Sequence, residues 1–471
     1  MTSRAVTAHV AAAGAVMVLG IWLSSGTMTP YASTFFCPLV TEPCGYLHNV
    51  DHPLHEAAFR MLDGQPPDRW RASNVLRRLL FPLVAYPFMK LAGFDVGGFI
   101  ASVLCQLAGL VVLSVFLRRR HGERAAIVGA WLLAAYPGIT YWAALPYAYV
   151  TIVPASIGLF VLLTALDERG GIQRAAWIGA AMGVLFVAYD LLPFFGVAAL
   201  LLLVYRKRFA EVPVALVGFA VAPALTALAL KLAYGVGWGN NNTAIYSAVA
   251  RAYLRPPALG VWLRAVADFI PLLVTNFFFS NFVFLPWLFL VLAVVARRRL
   301  SAPEATLLVA AGLVFAFNNL APPYEGRWQM RGDFIPRLYQ PIFVALLVYC
   351  ARVAGDAGAL LGARPRLVLA AATFALVGNL SIAFGPIARV PWTGVIYHRF
   401  YEHSGPDTMD RLLAAHGRRP LGFCRRDDPG VGSSAVTGAD AGTLSLEREY
   451  GWARSIDRCT PAVTGAPPER P

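Results

Sequence analysis

Charge is scarce in this chain. Asp, Glu, Lys and Arg together make up 14% of its 471 residues, where a soluble domain carries about a quarter. Hydrophobic residues make up 58%, more apolar surface than a soluble fold of this length could hide. The motifs of soluble enzymes are missing as well. There is no Gly-rich loop closing on Lys-Ser/Thr, no His-Glu-x-x-His, no Gly-x-Ser-x-Gly and no Cys-x-x-Cys. Their absence argues against ATP-driven transport by this chain alone. No internal repeat is evident, which argues against an inverted-repeat transporter.

What is present is apolar sequence in runs that approach or exceed the ~20 residues a bilayer-crossing helix needs. The expected fold class is an all-α polytopic membrane protein with about eleven transmembrane helices. The spans fall at about 5–24, 97–117, 125–141, 147–166, 175–190, 192–205, 212–233, 278–296, 303–320, 338–353 and 367–387. The first reads as a retained helix rather than a signal peptide, because it lacks a convincing small-residue cleavage site and further spans follow.

The formal net charge of +14 does not point to nucleic acid, because the basic residues cluster at span ends. Arg118–Arg120, Arg206–Arg208, Arg297–Arg299 and the pair Arg364 and Arg366 are positioned to hold cytoplasmic helix ends. Residues 76–94 break the pattern with Arg77, Arg78, Pro82, Pro87 and Lys90. A Lys or Arg at mid-bilayer costs about 2.5–3.5 kcal/mol, so this segment is expected as amphipathic helices on the outer membrane surface. Every basic cluster then falls inside, the N-terminus is cytoplasmic and the C-terminus lies outside. If residues 76–94 crossed, the whole alternation would invert.

Two regions follow: a bundle over 1–390, with a long first outer loop at 26–95, and a small polar outer tail at 391–471. Cys105 and Cys350 sit in apolar spans as packing residues. Cys37 with Cys44 in the loop, and Cys424 with Cys459 in the tail, are expected as disulfides in an oxidising compartment.

A loop as long as 26–95 usually binds or reacts. Asp51 is its candidate general base, since a carboxylate in a partly dry site can take the proton of an attacking hydroxyl. His52, His55 and Glu56 surround it and define an acceptor or metal vicinity, without a diagnostic ligand spacing. Arg77, Arg78, Arg327, Arg331 and Arg337 all stand at the outer boundary, and guanidinium forks suit phosphate oxygens. Tyr189 and Asp190 end one span and are candidates for a polar cavity wall.

This arrangement resembles the C-type integral-membrane glycosyltransferases, which use polyprenyl-phosphate sugars. The resemblance is carried by one span, a long acidic outer loop, and Arg78-Leu-Leu-Phe-Pro82-Leu83 followed by Lys90-Leu-Ala-Gly93-Phe94. Then come Leu117-Arg-Arg-Arg-His-Gly122, Ala135-Tyr136-Pro137-Gly138 and Arg337-Leu-Tyr-Gln-Pro341. It covers residues 1–165 well and 320–350 loosely. It implies a helical bundle with a cavity open to the outer leaflet, in a bacterial inner membrane with a periplasmic active face. A sugar, hexose or pentose, would pass with inversion from a polyprenyl-phosphate donor to a glycan, lipid or protein acceptor. Arg337 and one of Arg77 or Arg78 would hold the phosphate, and Asp51 would deprotonate the acceptor. No nucleotide is needed, and magnesium or manganese is the one cofactor left open. The alternatives are a flippase for a glycolipid or envelope precursor, and a polysaccharide polymerase or ligase using a diphosphate-linked donor.

Overall fold

A computed structural model of the chain describes residues 3–28, 58–59, 61–64, 78–136, 139, 143, 148–189, 192–235, 263, 285–320, 340–356, 373, 376–377, 423–425 and 456–458. These residues form α1 (Ser3–Met28), α2 (Leu80–Ala92), α3 (Phe94–His121), α4 (Glu123–Ala134), α5 (Ile152–Glu168), α6 (Ile172–Ala188), α7 (Leu192–Tyr205), α8 (Glu211–Tyr234), α9 (Leu285–Ala296), α10 (Ala302–Leu320) and α11 (Gln340–Gly355). A 3₁₀ turn, Ala148–Thr151, leads into α5. In the tail, β1 (Phe423–Arg425) pairs antiparallel with β2 (Ile456–Arg458), Cys424 opposite Asp457. This small strand pair is the one piece of β-sheet among the described residues.

The apolar runs mark the helices well and their lengths less well. Among the described residues, four helices are long and apolar enough to cross a membrane: Arg4–Trp22, Val96–His121, Tyr149–Glu168 and Glu211–Tyr234. The remaining helices run from 12 to 19 residues. The run expected at 125–141 stops as a helix at Ala134, just before Tyr136-Pro137, since a residue preceding proline is pushed out of the helical region. Of the span expected at 367–387, residues 373, 376 and 377 are described.

Within the 76–94 segment, described from residue 78 onward, one short helix precedes α3. The helix there, α2, has 13 residues, or about 20 Å at 1.5 Å per residue, against the ~30 Å of bilayer hydrocarbon. Pro82 lies in its first turn, where an amide donor would have no partner anyway. The helix ends at Gly93, whose φ of +81° and ψ of 167° belong to glycine. The chain then folds sharply into α3. A Cβ on Gly97 would strike the backbone of Phe88 and Met89, so α2 and α3 touch at their corner. Phe81, Pro82, Ala85 and Met89 turn inward, onto Phe59, Ala101 and Val150. Leu83, Val84 and Leu91 face away from the protein, Leu91 at 87% exposure. A short helix apolar on its outer side, with Lys90 near its end, has the composition of a helix lying at a membrane interface.

The core centres on α11, where almost every side chain from Gln340 to Ala351 is buried. It packs on α4, whose alanines and Gly129 allow close approach. Tyr136 stacks on Phe343 with ring centroids 3.6 Å apart. On the flank, α6 and α8 approach to backbone contact. A Cβ on Gly179 would strike the carbonyl of Ala215, one on Gly183 that of Phe219, and one on Gly218 that of Ala176. Gly179-Ala-Ala-Met-Gly183 is the small-residue spacing that lets membrane helices meet in this way. Gly179→Leu is expected to destabilise the bundle by about 1–3 kcal/mol, the usual cost of overpacking, read as a lowered Tm of the detergent-solubilised chain.

The described basic clusters gather at one end of the bundle. Arg120 pairs with Glu168, and Arg206 pairs with Asp167 at 2.6 Å. Arg208 pairs with Glu211 and donates to the Leu166 carbonyl. Arg298 reaches Asp356 at 2.6 Å, and Arg352 reaches Glu304 at 2.8 Å. A Cβ on Gly355 would stand 2.7 Å from Ala125, bringing the end of α11 to the start of α4. The N-terminus of α1 lies at this end too, because Trp131 of α4 donates to His9 at 3.3 Å, while Gly14 packs against Leu107 and Leu110 of α3, farther from the α3–α4 turn. Membrane proteins keep such clusters cytoplasmic.

Candidate functional site

The opposite end is built differently. There Arg78, just ahead of α2, lays its guanidinium carbon 4.4 Å from the centre of the Tyr189 ring. Tyr189 follows the last residue of α6 and is buried. Its ring meets Tyr149 edge-on, with centroids 5.9 Å apart. Tyr149 belongs to the 3₁₀ turn, and two hydrogen bonds fix that turn. Gln106 of α3 donates from Nε2 to the Val150 carbonyl at 2.6 Å. Thr151 donates from Oγ1 to the Ala188 carbonyl at 3.1 Å. Gln106 is buried in α3, where an amide without a partner would be costly. Four chain segments therefore meet beneath one cation.

The described residues of the first loop ahead of Arg78, 58–59 and 61–64, pack against this end. Ala58, Phe59 and Met61 are buried, and Tyr234, at the end of α8, donates its hydroxyl to the Met61 carbonyl at 3.1 Å. Asp63 binds α2 twice, through Lys90 at 2.6 Å and the Tyr86 hydroxyl at 2.8 Å. The Lys90 bond first, and the Tyr86 bond next, hold the Asp63 carboxyl below its ordinary range. The same contact raises Lys90 above its ordinary value. Because the Asp63 value is depressed, its stabilising share is present above the usual carboxylate range and is lost as pH falls through the lowered value. The pair is exposed and solvent-screened, so that share is small.

Of the residues expected to act together, Arg78 and Tyr189 are described, and the fold brings them into contact. Asp51, His52, His55, Glu56, Arg77, Asp190, Arg327, Arg331 and Arg337 lie outside the described residues. So do Cys37, Cys44 and Cys459, and with them both expected disulfides. Cys105 and Cys350 are free thiols, Cys350 buried, as expected of packing residues. Among the described residues no group of three or more His, Cys, Asp or Glu stands close enough to hold a metal.

The sequence reading missed Tyr149, Gln106 and Thr151. A lone amide inside an apolar run was the available signal for Gln106. Tyr149 had none beyond its place at a span start.

The bundle matches solved structures. Over 88% of this chain and 73% of the other, it superposes on the crystal structure of ArnT from Cupriavidus metallidurans bound to undecaprenyl phosphate, with a TM-score of 0.53 and 16% sequence identity. The crystal structure of the same ArnT in the apo state gives a TM-score of 0.44 at 16% identity, covering 86% of this chain and 72% of that one. No protein-family model matches the sequence, and no curated protein matches it. The likeness to the undecaprenyl phosphate-bound ArnT structure is one of fold.

Proposed function

We propose that this chain is a membrane glycosyltransferase that moves a sugar from a polyprenyl-phosphate donor to an envelope glycan, lipid or protein. The observation that carries the reading is a cation seated on an aromatic ring, in a bundle whose fold is shared with an undecaprenyl phosphate-bound structure. The site lies at the end away from the basic clusters. With those clusters cytoplasmic by the positive-inside rule, it faces the periplasmic side of a bacterial inner membrane.

The chemistry follows from the residue types. Asp51 takes the proton of the acceptor hydroxyl as its oxygen attacks the anomeric carbon from the side opposite the phosphate. A new C–O bond forms with inversion, and the bond to the phosphate oxygen breaks. Its electron pair stays on the polyprenyl phosphate. Arg78, with Arg77 and Arg337, meets the negative charge that builds there, which is the developing charge a preorganised cation stabilises best. Arg327 and Arg331 add positive potential along the approach of the anionic donor. Holding donor and acceptor over one opening removes most of the entropy cost of their encounter.

The test uses the full-length chain in lipid nanodiscs, with labelled polyprenyl-monophosphate sugars of the hexose and pentose classes. Release of polyprenyl phosphate together with labelled acceptor is expected. Turnover confined to diphosphate-linked donors would replace this reading with a polymerase or ligase. Donor crossing the bilayer with no release of phosphate would replace it with a flippase.

A further inference from the structure

We infer that Tyr189 is a positioning residue: its ring, backed by Tyr149, is the shelf that sets Arg78 for anion binding. The inference rests on the proposed reading of Arg78 and deepens it. An arginine at a chain turn ahead of a helix has long side-chain freedom, and ordering it on ligand binding costs affinity. A ring face beneath the guanidinium lowers that cost in advance. The guanidinium carbon stands over the Tyr189 ring, 4.4 Å from its centre, so the attraction is to the ring quadrupole and not to a hydrogen-bond acceptor. Desolvation strengthens such a cation–ring contact, and both tyrosines are 1% exposed.

The shelf is itself held rigidly. Tyr189 stands where α6 gives way to extended backbone, with φ −161° and ψ 147°. Thr151 ties the preceding carbonyl, that of Ala188, to the turn that carries Tyr149, and Gln106 ties the same turn to α3. The four elements that meet here are the lead-in to α2, α3, the 3₁₀ turn and the end of α6. A displacement of the turn would move Tyr149, then Tyr189, then the guanidinium.

Binding of undecaprenyl phosphate to the full-length chain in detergent tests this, using wild type, Tyr189→Leu, Tyr189→Phe, Arg78→Gln and the double variant Tyr189→Leu/Arg78→Gln. Tyr189→Leu is expected to bind roughly threefold to thirtyfold more weakly, the range of a partly desolvated cation–ring contact. Tyr189→Phe keeps the ring and is expected to restore affinity to within about twofold. The loss is expected to vanish in the Arg78→Gln background, because a residue acting through another has nothing left to position. Additive losses in the double variant, or a Tyr189→Phe as weak as Tyr189→Leu, would overturn the positioning role while leaving the lipid-phosphate reading intact. Wild type that fails to bind the lipid would instead overturn the functional reading beneath it.

Discussion

Replacing Arg352 with methionine is expected to destabilise the bundle by about 3–5 kcal/mol, the cost of leaving a buried charge without its partner. Glu304 is that charge: its side chain is 1% exposed. It accepts from Arg352 along one guanidinium edge, Nε at 3.1 Å and Nη2 at 2.8 Å, a forked geometry with fixed direction as well as attraction. It also closes the start of α10. The Ser301 amide donates to Glu304 Oε2 at 2.7 Å, and the Glu304 amide donates to Ser301 Oγ at 3.4 Å, the reciprocal arrangement of a capping box. Arg352 further donates to the Arg299 carbonyl at 3.1 Å, and Tyr349 donates to the Arg298 carbonyl at 2.9 Å. One pair thus joins the central helix α11 to the turn between α9 and α10. The measurement is the unfolding midpoint in detergent, with Glu304→Gln/Arg352→Met as its companion. Glutamine keeps the cap and removes the charge, so the double variant is expected to recover more than half of the loss. A single variant as stable as wild type would mean that solvent already screens Glu304.

That network also shows what the sequence could reveal. Runs of arginine at span ends can be read without coordinates, because their reason for being there is the bilayer and not a particular neighbour. Arg120, Arg206, Arg208 and Arg298 of those runs gather at one end of the bundle, and Arg352 joins them there. Residues 76–94 stood apart in the sequence because charge and proline are expensive inside hydrocarbon, and the helix described there has 13 residues. Helix lengths were less legible: an apolar run continues through Tyr136-Pro137, although its helix does not. Least legible was the contact of Arg78 with Tyr189. Each residue drew attention alone, one as a boundary cation and the other as a polar span end. Their meeting depends on the turn at 148–151, which no local pattern announces, and on a glutamine that is conspicuous only for standing among apolar neighbours.

Asp51→Asn is expected to lower turnover by about 10²–10⁴-fold, the range for removing a positioned general base, while leaving binding of the lipid phosphate nearly unchanged. Asparagine has the size and much of the polarity of aspartate but cannot take up the acceptor proton. The two halves of the proposed site should therefore separate by kinetic parameter. Loss of the base falls on kcat, because its proton transfer belongs to the transition state. Arg78→Gln falls on donor binding as well, because the phosphate is anionic before and after the reaction. Chain placement supports the assignment: residues 58–64 are fastened to α2 and α8 at the end that holds Arg78, and Asp51 precedes them in the same loop. Glu56→Gln, made in parallel, separates the two acids of that stretch. Loss of turnover confined to Glu56→Gln would move the proton acceptor five residues along the chain. Turnover undiminished in both would place the base outside the first loop, and the role of the loop would then be to receive the acceptor.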